Sequence, residues 1–209
     1  RNPIRTMLLA GTETAANTLN WACYLLSTHP EIQRRLQAEV DEVVDGSKVS
    51  IEALRKLVFT RQVLTETLRL YPVVWLLSRR PIGDVELGGH RIPADSHVLF
   101  CPYALHHDPE HYPEPDRFHP DRWQESISAK GVSRGSFLPF GAGIRGCIGE
   151  PYAWTEMLIF LSLLVRRFSL KPIAGKTVRP IVKGSLQPDH HLMRVELRTP
   201  VGAATTAAS

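Results

Sequence analysis

One cysteine lies in a glycine-rich segment that leads directly into a predicted helix. The segment reads Phe140-Gly141-Ala142-Gly143-Ile144-Arg145-Gly146-Cys147-Ile148-Gly149, and the helix is predicted to begin near Glu150. Backbone N–H groups and the positive end of a helix dipole favour a thiolate at such a position. Because glycines carry no Cβ atom, the loop can lie close against a flat cofactor. The segment therefore predicts a thiolate site in which Gly141 permits the close approach, Phe140 shields the sulfur from water and Arg145 pairs with a cofactor carboxylate. The alternative is a cysteine that serves only as a small buried apolar residue beside a turn.

A second polar cluster interrupts a predicted helix near the start of the chain. Ala10-Gly11-Thr12-Glu13-Thr14 places a glycine and several polar residues in the middle of that helix, where helix propensity disfavours them. Such a local defect often marks a functional site. The alternative is that Thr14 bonds back to a helix carbonyl and Glu13 is solvated.

Glu66 and Arg69 are three residues apart, so they lie on one face of a predicted helix and can form an ion pair. By itself, such a pair is usually a solvated surface salt bridge. His106-His107 and His190-His191 suggest a zinc site, but neither a cysteine pair nor a His-x-x-x-His spacing accompanies them. Surface or capping positions are therefore the preferred interpretation of these histidines.

The elements that position these residues follow from local patterns. Periodicity, caps and prolines predict helices over residues 3–28, from Pro30 to about Asp45-Gly46, from Ser50 to Leu57, over Phe59–Leu70 and over Tyr152–Phe168. A hairpin is predicted around Gly88-Gly89, a short strand up to Phe100, and further strands between Val178 and Leu197. Residues 106–145 are rich in Pro, Gly, His and Asp, and their length of irregular chain is typical of a functional segment.

Composition restricts the possible functions. The chain of 209 residues is 43% hydrophobic and 22% charged, which is typical of a folded globular protein. The net charge is +4, but the basic residues are interleaved with acidic ones, which argues against nucleic-acid binding and favours a basic face for an acidic protein partner. The three cysteines are distant from one another and odd in number, which favours a reducing compartment.

The cysteine segment resembles the haem-ligand signature F-G-x-G-x-R-x-C-x-G of the cytochrome P-450 family, and every specified position agrees. The resemblance implies a fold that is mainly α with small β-sheets, the C-terminal part of the cytochrome P-450 fold. Residues 1–200 would then form the C-terminal portion of a single domain, from the distal helix to the C-terminal strands, and residues 201–209 a disordered tail. The implied cofactor is haem b, an iron protoporphyrin IX whose axial ligand is the Cys147 thiolate.

The resemblance extends to the other motifs. Ala10 to Thr14 is similar to the family's (A/G)-G-x-(D/E)-T motif, which implies that Thr14 and Glu13 deliver protons for O–O cleavage. Pro120-Asp121-Arg122-Trp123 stands where the family has a P-E-R-F-like motif, which implies a buried ion network of Glu66, Arg69 and Arg122. Arg79 resembles the arginine that binds a haem propionate, with Arg80 as the alternative. Substrate contacts are implied for Ala10, Val74, Leu76 and the turn at Gly184-Ser185.

The implied function is a haem-thiolate monooxygenase that activates O₂ to hydroxylate or epoxidise an apolar substrate. A finer resemblance, to actinobacterial members that oxidise terpenes, suggests a terpenoid substrate. The alternatives are a haem-thiolate peroxygenase or isomerase, and an inactive haem-binding fragment. Electrons are expected from ferredoxin and ferredoxin reductase or another NAD(P)H-dependent donor. A bacterial source would imply a cytoplasmic location, although an N-terminal anchor stays possible because family members are considerably longer.

Overall fold

A computed structural model describes residues 2–44, 48–124, 135–190 and 193–198. Within these ranges the chain forms six α-helices and four two-stranded antiparallel sheets. The helices are α1 (Pro3–Thr28), α2 (Pro30–Val43), α3 (Ile51–Lys56), α4 (Val58–Leu70), α5 (Pro102–His106) and α6 (Glu150–Arg167). The predicted class, mainly α with small β-sheets, is confirmed. The predicted helix end at Asp45-Gly46, the domain boundary at residue 200 and the predicted tail over 201–209 lie outside the described residues.

The helix boundaries have local chemical causes. Asn2 accepts a hydrogen bond from the Ile4 N–H at the start of α1, and Ser50 accepts one from the Ala53 N–H at the start of α3. The residue before α4, Leu57, has no capping side chain. Instead the Glu39 carboxylate, on α2, accepts hydrogen bonds from the first-turn N–H groups of α4, with N···O distances of 2.6 and 2.8 Å. A carboxylate at this position satisfies orphan donors and complements the helix dipole.

The core lies between α1, α2, α4 and α6. Large apolar side chains from all four helices are fully buried there: Leu26, Leu36, Val40, Val63, Leu64, Leu161 and Val165. The two longest helices of the described chain, α1 and α6, pack against each other. Since α1 carries the Ala10–Thr14 motif and α6 follows the cysteine loop, this packing holds the two motifs in a fixed relation.

Each sheet is a two-stranded ribbon. The strands are β1 (Leu77–Arg79), β2 (Val85–Leu87), β3 (His90–Ile92), β4 (Val98–Phe100), β5 (Phe168–Pro172), β6 (Pro180–Lys183), β7 (Ser185–Pro188) and β8 (Met193–Leu197). The pairs are β1 with β4, β2 with β3, β5 with β8, and β6 with β7. Gly88 and Gly89 connect β2 and β3 with φ angles of 58° and 79°, the conformation that a two-residue hairpin turn requires.

Several elements differ from the sequence-based expectation, which included neither β1 nor β5. Helix α6 ends at Arg167, and Phe168 begins β5, because the cross-strand pairing with β8 extends to Phe168 and Leu197. The five-residue helix α5 was not predicted, and it begins with Pro102 after a Cys101 cap. None of the helices in the described part of the chain is long and apolar enough to span a membrane.

Candidate active site

The loop that carries Cys147 is closed by its own backbone. The Cys147 N–H donates to the Phe140 carbonyl over 2.9 Å, and a 3₁₀ turn over Gly143–Arg145 ends where the Gly146 N–H donates to the Gly143 carbonyl over 3.0 Å. Gly141 and Gly143 have φ angles of 71° and 65°, a region that side chains with a Cβ rarely adopt. The backbone of the loop therefore requires glycine at these two positions. The Cys147 side chain in this loop is exposed.

The three cysteines differ in their fitness to hold a metal. All are free thiols, but Cys23 is buried in the core, where desolvation raises the pKa of its thiol to about 12. Cys101 is partly buried and its S–H group donates to the Trp75 carbonyl over 3.2 Å. Cys147 alone of the three is exposed. Because the thiolate is the metal-binding form, Cys147 is the cysteine that fits the role of iron ligand.

The surface around Cys147 fits a flat apolar group with acidic substituents. Ile144 is 100% exposed and Ile148 is 85% exposed, an unusual state for two large aliphatic residues that flank one sulfur. Arg145 lies between them, is also exposed, and forms no ion pair with the described residues. A porphyrin covers apolar surface with its macrocycle and presents carboxylates at its edge. The residues of the loop thus fit the cofactor that the sequence implies.

Arg79 and Arg80 differ in their availability. The Arg80 guanidinium pairs with the Asp95 carboxylate at 3.1 Å, and both side chains are exposed. The Arg79 guanidinium donates to the Ser78 carbonyl and lies 5.3 Å from the centroid of the Phe100 ring, and it has no carboxylate partner among the described residues. Of the two arginines, Arg79 is therefore the one that remains available for a propionate.

The Ala10–Thr14 motif lies in an uninterrupted helix. The Thr14 hydroxyl donates to the Ala10 carbonyl over 2.7 Å, and the Thr12 hydroxyl donates to Leu8 in the same way. This is the back-bonding arrangement that the sequence left as the alternative interpretation. The Glu13 carboxylate, in contrast, accepts a hydrogen bond from the Ser185 hydroxyl, with an O···O distance of 2.6 Å. Glu13 is therefore bound to another element and not simply solvated.

Strand β7 brings the predicted substrate-contact segments together. The Trp21 indole N–H of α1 donates to the Leu186 carbonyl over 3.2 Å, and the Leu186 N–H donates to the Val73 carbonyl over 2.9 Å. Together with the bond between Ser185 and Glu13, these contacts join α1, the Val73–Leu77 segment and the Gly184-Ser185 turn. Ala10 and Val74 are exposed and Leu76 is half-buried, so these apolar groups are accessible to a ligand. Asn17, which donates to Ser185, was not singled out from the sequence, although it lies one turn after Glu13.

Glu66, Arg69 and Arg122 form a network that is almost completely shielded from water. The Arg69 side chain is fully buried and makes two 2.9 Å bonds to the two carboxylate oxygens of Glu66. The Arg122 guanidinium donates to the Glu66 carboxylate over 2.9 Å, and the Trp123 indole N–H donates to the same carboxylate over 2.8 Å. The remaining Arg69 N–H groups donate to the backbone carbonyls of His106, Pro115 and Arg117. The network therefore holds the irregular segment against α4.

His106 is neither a surface nor a capping histidine, so that interpretation of it was wrong. Its side chain is fully buried, and its Nε2 atom accepts a hydrogen bond from the Leu138 N–H over 2.9 Å. Burial lowers the pKa of His106 from 6.5 to about 4. The imidazole is therefore neutral near pH 7, and this acceptor fixes the chain two residues before Phe140. His191 lies outside the described residues.

This burial predicts a pH-dependent stability. The unfolded chain binds a proton at His106 near pH 6.5 and the folded chain only near pH 4, so the unfolded state binds more protons between those values. Lowering the pH through this range should therefore remove up to about 3 kcal/mol of stability. In His106→Gln, whose amide oxygen can still accept from Leu138 but does not titrate, the thermal midpoint of the complete protein should depend less on pH. An equal slope in the variant would contradict the assignment.

The mainly α fold and the glycine-rich loop that presents an exposed cysteine ahead of a long helix are the arrangement expected of a haem-thiolate protein. The comparison with protein families agrees, since the family model described as cytochrome P-450 matches residues 1–195. The chain belongs to the cytochrome P-450 family. Haem b with an axial cysteine thiolate is the general cofactor of that family.

Several curated proteins are similar to this chain. Cyclooctat-9-en-7-ol 5-monooxygenase of Streptomyces melanosporofaciens is 45% identical over 173 residues, which are 83% of this chain and 38% of the relative. Pentalenene oxygenase of Streptomyces avermitilis is 37% identical over 196 residues, 93% of this chain and 43% of the relative. Cytochrome P-450 3A41 of Mus musculus is 39% identical over 186 residues, 87% of this chain and 36% of the relative. The resemblance to actinobacterial members is confirmed, and the chain spans about two fifths of the length of these relatives.

Proposed function

We propose that the complete protein is a haem-thiolate monooxygenase that inserts one atom of O₂ into a C–H or C=C bond of an apolar substrate. The observation that carries the proposal is the exposed Cys147 thiol in its closed glycine loop, flanked by the exposed side chains of Ile144 and Ile148. Burial removes Cys23 as a competing ligand. The loop, the α1 motif and the buried ion network occur together in one chain, in the order that the family implies.

In the proposed site, Cys147 binds the iron, Arg145 and Arg79 neutralise the haem carboxylates, and Phe140 and Gly141 shape the sulfur side of the loop. The bound haem would supply the redox chemistry of O₂, because an axial thiolate donates electron density that favours O–O cleavage. Each turnover takes two electrons and two protons per O₂, with one oxygen atom entering the product and the other leaving as water. The protein must therefore deliver protons while limiting the entry of bulk water.

Proton delivery is the role that we propose for Thr14 and Glu13. The Thr14 hydroxyl gives its proton to the Ala10 carbonyl, so its free lone pairs can accept a hydrogen bond from a water molecule. Rotation about the Cβ–Oγ bond would redirect the same proton toward that water. Glu13, one residue earlier and on the exposed side of the helix, can exchange protons with solvent. In this proposal the two side chains together connect solvent to the place where O₂ and substrate would bind.

The test of this role is whether Thr14→Ala directs the electrons from NAD(P)H into product or into H₂O₂. The variant should still bind haem, substrate and CO, since none of these steps uses the hydroxyl, and it should still consume NAD(P)H. A misplaced proton releases H₂O₂, so product per NAD(P)H should fall and peroxide per NAD(P)H should rise. A positioned proton donor contributes about 10²- to 10⁴-fold in rate, so the change should be large. Product and peroxide are measured at equal NAD(P)H consumption with a reconstituted redox partner.

Thr14→Ser is the matched variant for this test, because it keeps the hydroxyl and removes only a methyl group. It should couple electrons to product nearly as well as the wild type. Equal coupling in wild type and Thr14→Ala would contradict the proton-delivery role. Turnover with H₂O₂ but without O₂ consumption, or product formation without any NAD(P)H, would instead indicate a peroxygenase or an isomerase.

A terpenoid is the substrate class that we propose. Two Streptomyces relatives carry the names cyclooctat-9-en-7-ol 5-monooxygenase and pentalenene oxygenase, and the residues proposed to contact substrate here are the apolar Ala10, Val74 and Leu76. The electron donor that we propose is a ferredoxin with its reductase. A chain with a net charge of +4 complements the acidic surface of such a partner and accelerates their encounter.

A further inference from the structure

We infer that Ser185 is a positioning residue for Glu13 and that it couples the substrate-contact turn to proton delivery. The inference rests on the proposed function, because it assigns a partner to the carboxylate proposed to exchange protons. Ser185 and Glu13 are 172 residues apart in the sequence, and their side chains meet at an O···O distance of 2.6 Å. This length is that of a short O–H···O hydrogen bond.

The direction of each hydrogen bond in this group is fixed by the available atoms. The Ser185 hydroxyl also lies 3.1 Å from the side-chain amide nitrogen of Asn17, which can only donate. The single hydroxyl proton is therefore directed to Glu13, while the hydroxyl oxygen accepts from Asn17. Ser185 and Asn17 are 9% and 7% exposed, so water cannot readily replace either bond. Asn17 thus orients Ser185, and Ser185 orients Glu13.

The turn that carries Ser185 is tied to both neighbouring elements. Gly184 precedes it with a φ angle of 83°, which sets the reversal between β6 and β7. The next residue, Leu186, accepts from Trp21 of α1 and donates to Val73, beside the proposed substrate contacts. A displacement of the turn would therefore move the Ser185 hydroxyl away from Glu13. An apolar ligand that packs against the turn would hold it in place.

The functional consequence follows from the freedom of a glutamate side chain. Without Ser185, Glu13 would be a long, flexible side chain on an exposed part of α1, with many rotamers open to it. With Ser185, one carboxylate oxygen is fixed against the turn, and the other is left to exchange protons with water. We expect correct proton delivery only when the turn is in place. Binding of an apolar substrate against the turn would then increase the share of electrons that goes into product.

The test compares Ser185→Ala, Ser185→Thr and Trp21→Phe in the complete, haem-loaded protein. Ser185→Ala removes the hydroxyl that binds Glu13, and Ser185→Thr retains it. Trp21→Phe removes a separate α1-to-β7 hydrogen bond, which involves neither Glu13 nor Ser185. The first measurement is backbone hydrogen exchange over residues 181–188 without electron donor. Exchange should accelerate in Ser185→Ala, which loses the bonds to Glu13 and Asn17, and in Trp21→Phe, which loses the bond to Leu186, whereas Ser185→Thr should resemble the wild type.

The second measurement is the ratio of product to peroxide. It should fall by about tenfold in Ser185→Ala, the order of effect of losing one hydrogen bond to a charged group, and recover in Ser185→Thr. Trp21→Phe loosens the turn but keeps the bond between Ser185 and Glu13, so its ratio should fall much less than that of Ser185→Ala. Equal loss of coupling in Trp21→Phe and Ser185→Ala would overturn the inference, since the bond would then serve only to attach the strand. Asn17→Ala, which keeps both Ser185 and Glu13, should give an intermediate ratio.

Glu13→Gln distinguishes failure of this inference from failure of the proposed function. If Glu13→Gln lowers coupling and Ser185→Ala does not, proton delivery by Glu13 stands and Ser185 has no part in it. If neither Glu13→Gln nor Thr14→Ala changes the ratio of product to peroxide, the proposed proton route itself is wrong. The role inferred for Ser185 is then wrong as well.

Discussion

Cys147→Ser in the complete protein should abolish the red-shifted Soret band that a thiolate-ligated ferrous haem gives with CO. A serine hydroxyl is a much weaker acid than a thiol and carries no sulfur, so it cannot supply the thiolate donor that the iron needs. The loop itself should keep its shape, because it is closed by backbone hydrogen bonds such as that from Cys147 N–H to Phe140. The expected loss is therefore spectroscopic and catalytic, without loss of the folded protein.

Substitutions at the other two cysteines provide the controls. Cys23→Ala and Cys101→Ser should keep the band, since the first thiol is buried with a pKa of about 12 and the second donates to the Trp75 carbonyl. An unchanged band in Cys147→Ser, or its loss in Cys101→Ser with full haem content, would contradict the ligand assignment. The reduced-plus-CO spectrum and the haem-to-protein ratio are measured together on each variant.

Much of the helical part of this fold could be predicted from local signals. The spacing of Leu36 and Val40, the Ser50 cap and the prolines at helix ends act over one or two turns, and α1 to α4 follow them closely. Helix α5 was missed because five residues contain too little of a helical period to recognise. The pairings of β1 with β4 and of β5 with β8 join segments distant in sequence, which no local pattern specifies.

The candidate site also contains some features that local sequence patterns predict and others that depend on contacts between distant segments. Cys147 could be found from the sequence because a glycine loop ahead of a helix is a contiguous pattern. The bond between Ser185 and Glu13 could not, because it depends on how β7 packs on α1. His106 was misjudged for a related reason: the ring of Phe137, at 5.2 Å, and the Leu138 N–H contact it from the far end of the same irregular segment.

The buried ion network predicts the largest effect on stability, in Arg69→Ala. The ion pairs of Glu66 with Arg69 and of Glu114 with Arg117 have the same spacing in the sequence but differ in burial. The side chains of the first pair are 0% exposed, whereas those of the second are 66% and 60% exposed. An exposed pair contributes about 0 to 1 kcal/mol, whereas removing one member of a buried pair costs about 3 to 5 kcal/mol.

Arg69→Ala should therefore yield little or no soluble holoprotein, and Arg117→Ala should express and bind haem like the wild type. The cost in Arg69→Ala arises because the Glu66 carboxylate loses two charge-assisted bonds and three backbone carbonyls lose their donor at the same time. Arg122→Ala should also give little holoprotein. It leaves Glu66 bound to Arg69 and Trp123, so its loss should not exceed that of Arg69→Ala.

Arg69→Lys separates charge from geometry. A lysine keeps the positive charge but cannot make two parallel bonds to Glu66 while donating to carbonyls on the other side, so it should recover only a small part of the stability. The measurements are soluble yield, haem content and the free energy of unfolding in urea for each variant. Normal holoprotein from Arg69→Ala would show that the irregular segment is held in place by other contacts. Full recovery in Arg69→Lys would show that the positive charge alone holds the irregular segment in place. A lysine neutralises the Glu66 carboxylate, but it lacks the planar guanidinium that joins this carboxylate to the backbone carbonyls.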